Sequence, residues 1–309
     1  MSSNIIFGPI LSRRFGKSLG IDLSPSTKQC NYDCVYCELA STATVEHQST
    51  VLPVETIMAE VQKALTAHPD IDVLTLTANG EPTLYPHLDA LIDAINAVKG
   101  NIQTLILSNG STIVNPAIQH ALAKIDTVKL SLDCATPRCF KRIDRMHKGI
   151  DIETIKAGML AFKEHYRGAL VIEILIVKGI NDRPEEIEAL STFLEQLQPA
   201  RIDLGTIDRP PAYKVEPVTY ETLYTLARHF APDLSVHITH RTHGTPTPTS
   251  YDEDAILNTL AKRPLTREDI ELLFDPPSQK RLQKLLEDRR VITQNAHGVE
   301  FFTVSPENH

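Results

Sequence analysis

The chain has 309 residues, a formal charge of -8 and 42% hydrophobic residues, which suits a soluble globular protein longer than a usual single domain, though one α/β barrel can absorb most of it. The acidic balance excludes a chain-wide nucleic-acid-binding surface and leaves room only for a local basic patch. No run of roughly 18 apolar residues reads as a membrane span, and Met1–Gly8 lacks the basic and apolar stretches of a secretory signal, so a cytoplasmic protein is expected.

From residue 17 to about 240, short β-branched runs alternate with longer amphipathic stretches. The expected strands are Ser18–Leu23, Val73–Thr77, Gln103–Leu107, Thr127–Leu132, Leu170–Val177 and Ile202–Thr206, with a weaker one at Val236–Thr239. Helical patterns lie near 54–67, 87–98, 116–124, 152–165, 185–197 and 218–230. In the second of these, Leu88, Leu91, Ile92 and Ile95 share one face at helical spacing. Six strand–helix units predict a parallel sheet in an open barrel or a doubly wound arrangement, with ligands beyond the carboxyl ends of the strands.

Residues 241–251 have no apolar periodicity and read as a linker. After it come three short helical patterns near 252–261, 266–273 and 277–288, then a hairpin of Val291–Thr293 and Val299–Thr303. Thr266 is a suitable cap for the second helix, with Asp269 three residues on. Three helices and a hairpin resemble a small winged-helix domain. The expected organisation is 1–240, an α/β core (in the barrel reading a partial (β/α)6 barrel) with an N-terminal strap; 241–251, a linker; and 252–309, a winged-helix-like domain.

Five cysteines, three of them within eight residues, do not look like a disulfide framework. Cys30-Asn-Tyr-Asp-Cys34-Val-Tyr-Cys37 follows the first expected strand directly. Three thiolates on one loop can converge on one metal site and leave a fourth coordination position open, which a catalytic iron–sulfur cluster needs. Zinc held by the same thiolates and a distant ligand such as His47 or Cys134 is the plainer reading. Cys134 and Cys139 read as small core or rim residues, or as a radical-quenching thiol.

The cysteine run, with Tyr36 before its third cysteine, resembles the signature of the radical S-adenosylmethionine superfamily. That resemblance implies a [4Fe–4S] cluster on Cys30, Cys34 and Cys37, with S-adenosylmethionine chelating the free iron and Tyr36 near its adenine. Later strand ends extend it through most of residues 1–240. Asn79-Gly80-Glu81-Pro82 resembles the family's Gly-Gly-Glu-Pro segment, which contacts the methionine amino group. Asn replaces the first Gly there and tolerates left-handed backbone angles; the same four residues also make an ordinary turn. The Ser108 hydroxyl and Asn109 amide, before a turn at Gly110, can hydrogen-bond ribose oxygens. Ser131 with Asp133 falls where the family binds the ribose and the cofactor carboxylate, and each of these segments can equally be a capped turn. Val177–Asp182 resembles the segment flanking the adenine, with Lys178 either facing the cavity or a solvated loop charge.

The Gly- and cation-rich start, Phe7–Asp22, together with the cysteine loop and Arg209-Pro210-Pro211, resembles a branch related to the tRNA wyosine-synthesis enzymes. Wyosine relatives carry a further cysteine set near the N-terminus; no cysteine precedes Cys30 here, which argues against wyosine chemistry itself. Arg13, Arg14 and Lys17 are either an anion site near the barrel rim or solvated charges. Arg209 either forks onto a substrate carboxylate or phosphate or pairs with Asp208. His237, His240 and His243 read as exposed or capping residues, not metal ligands.

The expected activity is reductive cleavage of S-adenosylmethionine to a 5′-deoxyadenosyl radical that takes a hydrogen atom from a substrate in the barrel mouth. It requires a one-electron donor such as flavodoxin or ferredoxin. No catalytic side chain is assigned, and an RNA substrate, or a protein partner through 252–309, stays open. The alternative is an iron–sulfur or zinc-bearing regulator that binds nucleic acid through 252–309, where Lys262, Arg263, Arg267, Lys280, Arg281, Lys284, Arg289 and Arg290 are offset by six acids.

Overall fold

The computed structural model describes residues 5–12, 15–238, 248–296 and 298–305. Strands β1 (Ile6–Ser12) to β8 form one sheet in sequential order: β2 (Gly16–Asp22), β3 (Val73–Thr77), β4 (Gln103–Ser108), β5 (Thr127–Ser131), β6 (Ala169–Ile176), β7 (Arg201–Thr206) and β8 (Val236–Ile238). β1 is antiparallel to β2, and every later neighbour is parallel. This is an α/β fold with a mostly parallel sheet. The expected strands are present within about two residues, and the N-terminal segment adds a strand, β1, that the sequence reading did not include. Its Gly-Pro interruption hid the period of two on which a strand is read.

The crossovers are α1 (Val54–Ala67), α2 (Leu88–Val98), α3 (Pro116–Leu122), α4 (Pro137–Ile143) with α5 (Ile152–His165), α6 (Pro184–Leu197) and α7 (Tyr220–Ala227). Their starts are chemically marked. The Asn115, Thr136, Asp151 and Thr219 side chains each accept from a first-turn amide, which contributes about 1 kcal/mol per cap. Leu88, Leu91, Ile92 and Ile95 of α2 are all buried against the sheet core.

Side-chain alternation gives the sheet two different faces. Leu19, Ile21, Leu74, Leu76, Ile106, Val128, Leu130, Ile172, Ile202 and Leu204 belong to one continuous hydrophobic core with the helices. The intervening positions, among them Ser18, Gly20, Thr75, Thr77, Lys129, Glu173 and Gly205, line a cavity of about 400 Å³. Gly20 has a steric reason to lack a side chain, since a Cβ there would meet the Phe7 ring at 2.1 Å.

After this body come α8 (Glu253–Lys262), β9 (Leu265–Thr266), α9 (Arg267–Leu273), α10 (Pro276–Glu287), β10 (Val291–Ala296) and β11 (Val299–Val304), with strand order β10-β11-β9. Tyr251, Ile256, Leu260, Phe274, Leu285 and Phe302 share a second hydrophobic cluster. Thr266 and Asp269 form the reciprocal cap expected for α9. Thr249 bridges to Phe274 and Tyr251 is buried, so the end of the expected linker packs on this second cluster. Tyr251 also donates to the Pro9 carbonyl of β1.

One backbone contact fixes how the first two loops meet. Gly80 pairs in parallel with Gln29 at φ 129°, and a Cβ there would lie 2.0 Å from the Gln29 carbonyl oxygen. Gly149, at φ 87°, has no atom within 4 Å of such a Cβ. Gly80→Ala is therefore expected to lose at least about 2 kcal/mol of stability and Gly149→Ala about 1 kcal/mol. Chemical denaturation of both variants checks this, and equal losses would contradict the steric argument.

Candidate active site

The cysteine loop leaves β2 at Asp22. Cys30, Cys34 and Cys37 are free thiols, each half-buried. The Cys37 amide donates to the Cys34 carbonyl oxygen at 3.1 Å, the Tyr32 amide donates to Cys30 Sγ at 3.4 Å, and Asn109 Nδ2 lies 3.7 Å from the same sulfur. Neither fourth ligand considered for a zinc site is shown bonded to the three cysteines. His47 is exposed, and Cys134 is buried in a disulfide with Cys139. That bridge also corrects the expectation of two separate small thiols.

The loops that follow the other strands converge on the cysteines. Glu81 is 1% exposed; its Oε1 accepts from the Thr83 amide and hydroxyl and from Ser108 Oγ, and its Oε2 accepts from the Asn109 amide at 2.7 Å. Asn109 Nδ2 donates to Asn31 Oδ1 within the cysteine run. Tyr36 Oη donates to Asp133 Oδ2 at 2.5 Å, while Asp133 Oδ1 accepts from the Leu175 amide. Ser131 and Asp133 line one small recess with Tyr32 and Asn109. Asn181 uses its amide to join the Asp133 and Leu175 carbonyls, closing the loop after β6.

Several details differ from the sequence expectation. Asn79 is not among the residues at positive φ; the backbone demand falls on Gly80. The Ser108 hydroxyl is committed to Glu81, so it orders the acid as well as the turn at Gly110, whose φ is 74°. Lys17 lies at the start of β2, the opposite end from the cysteine loop, paired with Asp70. Arg13, Arg14, His240 and His243 lie outside the described residues. Lys178 is exposed and paired with Glu216, and His237 is exposed. Arg209 pairs with Glu38, directly after Cys37.

Other polar groups escaped the sequence reading. Lys129, 7% exposed, pairs with Glu173 and with Asp203 across three strands. Strand alternation from Ser131 carried that signal, since Lys129 is two positions earlier. Lys262 pairs with buried Asp22, and Arg263 lines the same cavity as Arg209. Both cations therefore face the barrel, which removes them from any nucleic-acid surface and leaves the regulator alternative without support.

The chemistry of the donor set fits a polynuclear metal group. Burial pushes the Cys30 thiol up to about 12 and raises Cys34 and Cys37. Burial also raises Glu81, Asp133 and Asp144, the last further through Asp133. Three thiols and three carboxyls crowded in low dielectric favour protons, with Lys28 offsetting this only in part at Cys30 and Cys37; an iron cluster or an ammonium group reverses the balance.

For the metal-free protein the sign follows directly. A carboxyl raised by folding stabilises fully below its unfolded value near about 4 and ceases to as pH rises through the folded value. The melting temperature of the metal-free chain is expected to fall between pH 5 and 8, with a shallower fall in Asp133→Asn. Thermal scans across that range check it; a rise with pH would contradict the assignment.

The radical SAM superfamily model matches residues 24–193. A UPF0026 protein of Helicobacter pylori strain J99 is 43% identical over 300 residues, which cover 96% of this chain and 97% of the relative. Among solved structures, a radical SAM methyltransferase from Sphaerobacter thermophilus aligns with TM-score 0.57 and 15% identity, over 72% of this chain and 65% of that one. TYW1 with a lysine-pyruvate adduct bound aligns with TM-score 0.52 and 21% identity, over 68% and 72%. These two likenesses are of fold. The family match spans more than half of the chain and contains the cysteine loop with every strand-end segment from Glu81 to Asn181: the chain belongs to the radical SAM superfamily.

Proposed function

We propose that this protein reductively cleaves S-adenosylmethionine at a [4Fe–4S] cluster on Cys30, Cys34 and Cys37 and abstracts a hydrogen atom from a substrate in the barrel. The observation that carries the reading is three free cysteines on one family-matched loop, set in a pocket crowded with buried acids. When bound and reduced, the cluster supplies the electron that breaks a carbon–sulfur bond of the cofactor.

The remaining work belongs to the chain. Glu81, held by four donors, keeps one oxygen with a single partner and suits the cofactor's ammonium group, with Asn79 and Gly80 beside it. Tyr36 ties the cysteine loop to Asp133, and with Ser131 these residues suit the adenosine and carboxylate end. Ser108 and Asn109 orient Glu81 and the Cys30 sulfur respectively. Lys262 and Arg263, which line the cavity from the C-terminal elements, help to keep water from the reacting groups.

We further read 252–309 as a winged-helix-like unit joined to the 1–240 core through 241–251, on its own hydrophobic cluster and helix–hairpin order. One electron per turnover calls for a flavodoxin- or ferredoxin-type donor, and exposed iron suits the reducing cytoplasm. No described helix is long and apolar enough to cross a membrane.

The reading is tested by anaerobic reconstitution with iron and sulfide, then dithionite and S-adenosylmethionine. The expected product is 5′-deoxyadenosine, with Cys34→Ala losing both the cluster absorbance and the product, and Cys134→Ser retaining the cluster. An intact cluster that yields no deoxyadenosine would refute the reading.

A further inference from the structure

The barrel cavity contains charges of two kinds. Deep in it, Lys129 is neutralised by Glu173 and Asp203, and Asp203 also takes Arg201 at 2.9 Å. At the cysteine-loop end, Arg209 Nη1 sits 3.0 Å from both oxygens of Glu38, and Lys262 is held by Asp22. Arg263 is different. It follows α8, is partly buried and lines the cavity, yet its Nε is buried with no hydrogen-bond partner.

Three acids lie near Arg263: Asp208, which lines the same cavity, Glu38 and Asp269, and the last two are engaged elsewhere. Glu38 is taken by Arg209, and Asp269 Oδ2 accepts from the Thr266 amide and hydroxyl at 3.0 Å each. Burial and the neighbouring Arg209 push the Arg263 guanidinium down to about 10, so it remains charged at neutral pH. A buried guanidinium Nε without a hydrogen-bond partner is a destabilising feature that an oxyanion ligand would remove. Its planar fork matches an oxyanion with two parallel donors. Glu38 is the residue after Cys37, so the vacancy in partners lies beside the cysteine loop, and about 400 Å³ is the size of a small-metabolite site.

We propose that Arg263, delivered into the barrel by the C-terminal elements, grips a phosphate or carboxylate group of a small anionic substrate and sets the specificity of the chamber. The assignment rests on the radical reading for the word substrate, but anion binding can be measured without turnover. It also gives the C-terminal elements a role: they complete the substrate chamber, with Lys262 on Asp22 fixing the adjacent Arg263 in position.

The experiment uses the full-length, cluster-reconstituted protein saturated with S-adenosylmethionine, titrated calorimetrically at constant ionic strength with inorganic pyrophosphate and, separately, succinate. The parent is expected to bind at least one; which one distinguishes phosphate from carboxylate. Arg263→Gln should weaken that binding by about tenfold or more, the scale of a charge-assisted pair, and Arg263→Lys by less. Lys280→Gln, an exposed cation on α10, should leave it unchanged.

Because the parent Arg263 Nε is buried without a hydrogen-bond partner, Arg263→Gln should melt no lower than the parent in anion-free buffer. Failure of the parent to bind either probe, equal binding by Arg263→Gln, or a melting point several degrees lower in that variant would each overturn the proposal. Deoxyadenosine formation in the same preparation separates the two readings. Product without probe binding overturns the anion site alone, and probe binding without product overturns the radical reading alone.

Discussion

Everything in this structure turns on the concentration of acidic groups at one end of a parallel sheet. Cys30, Cys34 and Cys37 share a small, largely dry volume with Glu81, Asp133 and Asp144. Burial alone disfavours ionising any of them, and each makes ionisation of the next harder. A fold tolerates such a pocket when a cation belongs in it. The hydrogen bonds from Thr83, Ser108 and Asn109 to Glu81, and from Tyr36 to Asp133, hold the acids at fixed positions before that cation arrives.

The sheet explains how residues so far apart in sequence meet. Parallel pairing of β2 to β8 brings every strand to the same end with its carboxyl terminus, so successive loops contribute one segment each. Side-chain alternation then separates two functions. The helix-facing positions form the core, and the opposite positions leave a cavity lined by hydroxyls and paired charges. The C-terminal elements add the last wall, through Lys262 to Asp22 and Tyr251 to Pro9, contacts that span 240 and 242 residues.

How much of this was legible in the sequence depended on distance along the chain. β-Branched runs revealed β2 to β7, because each strand carries its own pattern. The cysteine spacing revealed the loop, because its three thiols lie within eight residues. β1 was hidden by Gly8 and Pro9, which break alternation. Glu81 was visible, but not that its oxygens would meet four donors from two loops. Lys129 and Glu173 were lost as exceptions within apolar strands. Arg263 looked like one member of a mixed surface run, since nothing local encodes the barrel wall it faces.

The most direct test of the central claim is Mössbauer spectroscopy of the protein reconstituted with iron-57, before and after S-adenosylmethionine is added. The account predicts four irons per chain, one of which changes its signal on cofactor addition because three thiolates leave it without a protein sulfur ligand. A single zinc ion per chain, held wholly by protein ligands and indifferent to the cofactor, would contradict it.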